Sequence, residues 1–351
     1  MNTKTYIKYL LGAITIFIGY HLLMWVFFTS KIFGLDDKTV VGDLARMSYQ
    51  VNMIQTKHLS YTLPKSFIYD NIFKDQKIDM ITIGDSFSHG GGAAQNPYYQ
   101  DFLASIYNKN ILNINPIDYD KYIETVIGLY NSGYLKKHKI KYVLLQSVER
   151  FCAIRFQKNI IYKDYSIEDP TISKKVFSVY HQDVPIITTA NYKIPYFSLA
   201  YLVKENAKKD IHKVKLSKKL FSHSEYMLYL HGDIQNIPHF TKESVQEINR
   251  SINKLAQLLA QENITLIFMP TSDKYDLYYD YLVDNKHPKN QFFDFLRPLK
   301  KDYIFVDTKA ILTPYLEKGI QDIYFQDDTH WSSKASKVIA KNILFQKLLG
   351  K

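Results

Sequence analysis

Cysteine is almost absent: Cys152 is the only one in 351 residues. The chain can therefore close no disulfide within itself and offers no Cys/His zinc motif. Cys152 lies between Phe151 and Ala153 and reads as a small buried hydrophobe. Two nucleotide-binding signatures are also missing, G-x-x-x-x-G-K-[ST] and G-x-G-x-x-G. Zinc-finger and RNP-like spacings are lacking, as is any basic stripe interleaved with aromatics, so no nucleic-acid partner is expected. There is no internal repeat and no low-complexity tract. His181, His223, His231 and His239 are spaced too irregularly for a ligand set, so neither a metal nor another cofactor is expected.

What is present is a hydrophobic fraction of 46%, a charged fraction of 23% and an aromatic load of 15%, with 29 Tyr and 21 Phe. That balance belongs to a globular chain with a substantial core. Lys and Arg number 45 against 34 Asp and Glu, a net charge of +11, which favours an anionic partner such as an acidic polysaccharide or a lipid surface.

From Leu10 to Phe28 no residue is charged, and a helix needs ~20 such residues to cross a bilayer. Lys4 and Lys8 precede this run, whereas Lys31 is followed by Asp36 and Asp37. The positive-inside rule then keeps the N-terminus cytoplasmic and the rest outside. FFTSKIFG, which follows, has no A-x-A-like cleavage site, so an uncleaved signal anchor is expected. The chain is divided as 1–30, cytoplasmic N-terminus and membrane anchor; 31–76, a stalk and entry segment with no assigned role; and 77–351, the main domain.

Within that domain short apolar runs recur at Ile78–Ser86, Asn110–Asn115, Lys141–Glu149, Asn263–Thr271 and Asp302–Thr308. Such near-continuous runs suit strands buried on both faces, as in parallel sheets. Between them, Val245, Ile248, Ile252, Leu255 and Leu259 repeat at intervals of three and four after a Thr241 cap, which is one face of a helix. The last segment repeats the pattern through Ala335, Val338, Ile339, Ile343 and Leu348, capped by Ser332 or Ser333. The alternation predicts an α/β fold: a three-layer α/β/α domain with a mainly parallel, flavodoxin-like sheet, preceded by one transmembrane helix. Arg150 to Phe240, rich in Lys, Tyr and Pro, breaks the rhythm and reads as an insertion at about 150–240.

Ligands of open α/β sheets sit beyond the carboxyl ends of the strands, which singles out Gly84-Asp85-Ser86-Phe87-Ser88-His89-Gly90-Gly91-Gly92. A small residue at 84 permits a sharp turn, and Ser86 would stand at the strand end with its N–H available to an oxyanion. Asp327-Asp328-Thr329-His330-Trp331 falls between the last strand and the last helix. A serine hydroxyl needs a base, and the base needs a carboxylate to fix its tautomer; this loop offers both. His89, three residues from Ser86, is a competing base. Asn113, Asn115 and Gln146 are strand-end candidates for binding an oxyanion or substrate. Arg150 would either pair with Glu149 or bind an anionic substrate.

GDS after the first core strand together with DDTHW before the last helix resembles the SGNH hydrolase superfamily. GDSF with DTHW is more narrowly similar to the alginate O-acetyltransferase family of SGNH-like proteins, periplasmic factors of exopolysaccharide acetylation. Val148-Glu149-Arg150 and Pro270–Tyr278 (PTSDKYDLY) are also similar to segments of that family. The resemblance covers about Lys77–Glu149 and Lys242–Leu349 and lacks the superfamily's middle glycine and its GxND block. It implies Ser86 as nucleophile and His330 as base. The family's D-x-H spacing selects Asp328 as the acid, whereas the superfamily's D-x-x-H selects Asp327. It further implies O-acetylation of a cell-envelope or secreted polysaccharide, with a multispanning membrane acyltransferase as acyl donor and the domain outside the cytoplasmic membrane. Hydrolysis by the same triad, D-alanyl transfer to teichoic acid and a non-catalytic polysaccharide-binding role stand as alternatives.

Overall fold

A computed structural model describes residues 2–29, 41–57, 61–69, 77–89, 96–158 and 210–350. One short strand, β1 (Ile68–Tyr69), lies in the segment read as a stalk and was not among the apolar runs; the first three runs become β2 (Met80–Ile83), β3 (Ile111–Ile114) and β4 (Tyr142–Val148). β5 (Ile211–Lys215) and β6 (Tyr226–Leu230) form a separate antiparallel hairpin, and β7 (Thr265–Thr271) and β8 (Ile304–Phe305) complete the main sheet. That sheet has the order β1-β3-β2-β4-β7-β8 and every pairing in it is parallel. Setting aside the short edge strand β1, this is the flavodoxin-like order, whose direction of winding reverses between β2 and β4.

Burial on both faces explains why the strands lack polar alternation. Met80, Ile111, Leu144, Ile267 and Met269 face a core shared with the helices Tyr99–Tyr107, Thr308–Glu317 and Ser333–Ala340. Ile81, Ile83, Leu112, Val143, Leu145 and Phe268 face the opposite core, closed by the helices Tyr122–Asn131 and Lys242–Ala260.

Helix Lys242–Ala260 starts where Thr241 accepts a hydrogen bond from the Ser244 N–H, at 3.2 Å. Its five periodic apolar residues are all fully buried. Ser332, rather than Ser333, caps the last segment by accepting from the Lys334 N–H at 3.2 Å. The single helix expected there is two, Ser333–Ala340 and Ile343–Leu349. Asn342 causes the break, because its side chain accepts from the Leu344 N–H at 3.0 Å and starts a new helix. Ile343 consequently lies exposed rather than on the buried face.

The described part of the 150–240 segment is not featureless. β5 and β6 pack with residues 41–54 into a third small core of Val41, Leu44, Ala45, Met53, Ile211 and Leu228. Residues 159–209 lie outside the described part. At the N-terminus, the most apolar 18-residue stretch of the helix Thr3–Phe27 has a mean hydropathy of 2.0, and 6% of that stretch is buried. By length and composition it is able to cross a membrane.

Ile252→Ala is expected to lower stability by about 2–5 kcal/mol in denaturant unfolding, since it opens a cavity under the sheet. Lys254→Ala, on the exposed side of the same helix, is expected to change it by less than about 0.5 kcal/mol.

Candidate active site

β2 ends in a turn that only glycine fits. A Cβ at Gly84 would lie 2.2 Å from Ser88 Oγ and 2.4 Å from Gln146 Oε1, well inside contact distance. Gln146, on β4, holds the turn by accepting from the Asp85 N–H at 3.0 Å and from Ser88 Oγ at 2.9 Å. Asp85 then ties the turn to β4 and beyond, accepting from the Val148 N–H at 2.7 Å and from Arg155 Nη1 at 2.6 Å. Burial pushes the Asp85 carboxyl up, but Arg155 and these hydrogen bonds outweigh it and hold the group below its ordinary value. Ser86 emerges from this braced turn at the start of the short helix Ser86–His89, with its side chain exposed.

The other half is the loop before helix Ser333–Ala340. It doubles back through the Tyr324–Trp331 bridge and a 3.2 Å hydrogen bond from the Phe325 N–H to the His330 carbonyl. His330 Nε2 lies 2.6 Å from Ser86 Oγ, and His330 Nδ1 lies 2.6 Å from Asp328 Oδ1. The His330 N–H also donates to that Asp328 oxygen, at 3.0 Å. Phe87 packs on the imidazole, with ring centroids 4.8 Å apart. Burial would lower the His330 pKa, but the Asp328 carboxylate outweighs it and holds the value above the usual one. Burial likewise opposes the Asp328 charge, yet His330 and then Lys57 keep that carboxyl below the usual range.

Of the two neighbouring aspartates, Asp328 therefore faces His330. Asp327 points to the segment 42–57: its Oδ2 accepts from the Gly42 N–H at 3.0 Å and the Gln55 N–H at 3.2 Å, and its Oδ1 lies 3.3 Å from Lys57 Nζ. Gly42 is required here as well, because a Cβ would fall 2.0 Å from the Asp327 carbonyl oxygen.

Three supporting residues carried no clear sequence signal. Lys57 is fully buried and lies 3.7 Å from Asp328 Oδ2. Asp43 accepts from the Thr329 N–H at 2.7 Å and from Thr329 Oγ1 at 2.5 Å. Lys274, in the PTSDKYDLY stretch, is buried and donates to the carbonyls of Phe325, Gln326 and Asp328 at 2.6, 2.8 and 3.0 Å. Burial lowers its pKa to about 7, against the pull of Asp327 and Asp328. Residues 41–57 were read from sequence only as part of a stalk; they wrap the acid–base loop.

The remaining candidates fall into distinct places. Asn113 belongs to a buried network, accepting from Thr82 Oγ1 at 2.9 Å and from Gln100 Nε2 at 3.3 Å. Asn115, just past β3, has a buried Oδ1 with no hydrogen-bond partner among the described residues. Gln146 braces the serine turn and spends its amide nitrogen on Thr271 Oγ1, at 3.0 Å. Arg150 pairs with Asp233 at 3.2 Å and Asp273 at 2.6 Å rather than with Glu149. The His89 side chain and all of His181 lie outside the described residues. His231 shares a 2.9 Å hydrogen bond with His212, and His223 lies 3.0 Å from the Asn52 carbonyl oxygen. The His239 carbonyl accepts from Ser244 Oγ at 2.6 Å. Among the described residues, Asp43, Asp328 and His330 bring ligand-type atoms within 4.8 Å of one another. Those atoms are engaged in the hydrogen bonds given above.

Lys274→Met is expected to remove a donor from three buried carbonyls, of which those of Phe325 and Gln326 keep longer backbone partners at 3.4 and 3.3 Å, and to cost roughly 3 kcal/mol of stability, read by thermal unfolding. A loss below about 0.5 kcal/mol would mean that the loop does not depend on this cation.

The comparison with known proteins falls on the same half of the site. No curated protein matches the chain. Residues 226–346 match the SGNH hydrolase-like domain of the acetyltransferase AlgX; this region holds Lys274, Asp328 and His330 and leaves Ser86 outside it.

Proposed function

We propose that this chain is an acyltransferase that O-acetylates a cell-envelope or secreted polysaccharide through an acyl-Ser86 intermediate. The observation that carries the reading is the unbroken series of short contacts, 2.6 Å from Ser86 Oγ to His330 and 2.6 Å from His330 to Asp328, at the carboxyl end of a parallel sheet. The match of residues 226–346 to an acetyltransferase domain directs the chemistry towards acyl transfer.

In this reading neutral His330 takes the Ser86 proton at Nε2 as Oγ bonds to the acyl carbonyl carbon. The resulting oxyanion is assigned to the Ser86 N–H. His330 returns its proton to the leaving group of the donor. A sugar hydroxyl then gives its proton to His330 and attacks the acyl carbon, and the Ser86 oxygen leaves with that proton. Asp328 keeps Nδ1 protonated throughout and stabilises the imidazolium.

The apolar helix is assigned as a single-pass anchor in the cytoplasmic membrane, with the domain on the outer side. Cytosolic acetyl-CoA could not then reach Ser86 directly, so a multispanning membrane acyltransferase is the proposed donor. The net charge of +11 favours an acidic acceptor polymer.

Full-length protein incubated with an activated acetyl ester is expected to acquire one acetyl group on Ser86, located by intact mass and peptide mapping. The group should move to an oligosaccharide acceptor faster than to water, and Ser86→Ala should acquire none. Transfer to water alone would assign an esterase instead; a folded protein with no adduct would contradict the reading.

The pH dependence has a definite sign. His330 acts as a base only when neutral, and Asp328 raises its pKa. Activity should therefore rise with pH through a midpoint above the ordinary histidine value of about 6.5. Asp328→Asn should move that midpoint down, because burial then dominates, and should lower kcat by roughly 10³–10⁴-fold. An unmoved midpoint in initial-rate pH profiles would remove Asp328 from this role.

A further inference from the structure

The charge facing His330 does not come only from its own loop. Asp43 follows Gly42 in the segment that crosses the loop, and it contacts three of the four residues from Asp327 to His330. Its N–H donates to Asp328 Oδ2 at 3.3 Å, on the far side of the carboxylate from His330. Its own carboxylate accepts both Thr329 hydrogens, from N at 2.7 Å and from Oγ1 at 2.5 Å. Thr329 Oγ1 in turn lies 3.3 Å from His330 Nδ1, and Asp43 Oδ2 lies 3.9 Å from the same nitrogen.

A threonine hydroxyl has one hydrogen to give. Because Asp43 takes it, Thr329 Oγ1 presents only lone pairs to His330 Nδ1. A ring nitrogen flanked by the Asp328 carboxylate and by a hydroxyl that can only accept must carry the proton. The other nitrogen, Nε2, is then the one left to receive the Ser86 hydrogen. Without Asp43 the hydroxyl is free to turn and donate to Nδ1, which favours the wrong tautomer.

We propose that Asp43, supplied by the segment between the apolar N-terminal helix and the domain, is a positioning residue for His330. It orients the Thr329 hydroxyl as an acceptor and thereby holds the histidine in its Nδ1–H form, ready to deprotonate Ser86. The proposal rests on the acyltransfer reading for its consequence in rate, but not for the tautomer itself. It makes the membrane-proximal segment part of the acid–base apparatus.

The test uses full-length protein in lipid nanodiscs with 15N only in histidine. Solid-state 15N spectra at a pH where His330 is neutral report which ring nitrogen carries the proton, and His330→Asn identifies the signal. The wild type is expected to show protonated Nδ1 and bare Nε2. Asp43→Asn and Thr329→Val, which keep the shapes of the side chains, are expected to show a mixture of tautomers. In acetyl-transfer assays both should lower kcat by about tenfold or more with KM little changed, and Thr329→Ser should restore it. An unchanged tautomer in both variants, or an unchanged kcat in an active enzyme, overturns the proposal. A wild type as inactive as Ser86→Ala would count against the acyltransfer reading, while the spectra would still decide the role of Asp43.

Discussion

His330 Nε2 and Ser86 Oγ meet at 2.6 Å although 244 residues separate them in the chain. Such a contact has to be imposed from both sides. On one side the sheet does it: β2 delivers Ser86 between β3 and β4, and Asp85, Gln146 and Arg155 brace the turn from β4 and the helix that follows it. On the other side the His330 loop, which β6 reaches through the Leu228 N–H to the Gln326 carbonyl at 3.3 Å, is held by the buried side chains of Lys57 and Lys274 and by residues 42–55. Both halves depend on polar groups whose hydrogen-bonding capacity is spent on fixing backbone, as buried polar groups must be.

Charge balance explains why the loop is built this way. Asp327 and Asp328 are adjacent and buried, and burial by itself would push the Asp328 carboxyl up. Lys57 reaches both of them and, after His330, keeps the Asp328 carboxyl below the usual range, while Lys274 donates to three carbonyls of the same loop. Nearby, the ends of β4 and β7 carry another buried group. Arg150 pairs with Asp233 and Asp273, while Glu149 is pushed well above its ordinary value by burial and by Asp276 and Asp273. Arg150 thus commits its Nη1 to two carboxylates at the ends of β4 and β7.

The parts legible in the sequence are those set by local patterns. Five apolar runs became five of the six strands of the sheet, because burial on both faces leaves an unbroken apolar signal. Ser86 and His330 could be named because a glycine turn at a strand end and a DxH stretch before a helix are short-range features. The choice between Asp327 and Asp328 was not legible: it depends on which carboxylate Gly42, Gln55 and Lys57 capture from more than 250 residues away. The same holds for Asp43 and Lys57, whose surroundings in sequence are unremarkable and whose roles exist only through long-range contact. Asn113 shows the converse, a strand polar residue absorbed by a partner, Gln100, on a neighbouring helix. The split at Asn342 was visible in principle, since asparagine is a strong helix cap, but the apolar periodicity on either side masked it.

The central claim is that Ser86 is activated by His330, and a fluorophosphonate probe tests it without any assumption about acyl donor or acceptor. Full-length protein is expected to take up one phosphonate, mapped to Ser86, and His330→Ala, if folded, is expected to react at least about 10²-fold more slowly. Labelling at another serine, or equal rates in the wild type and His330→Ala, would contradict the account.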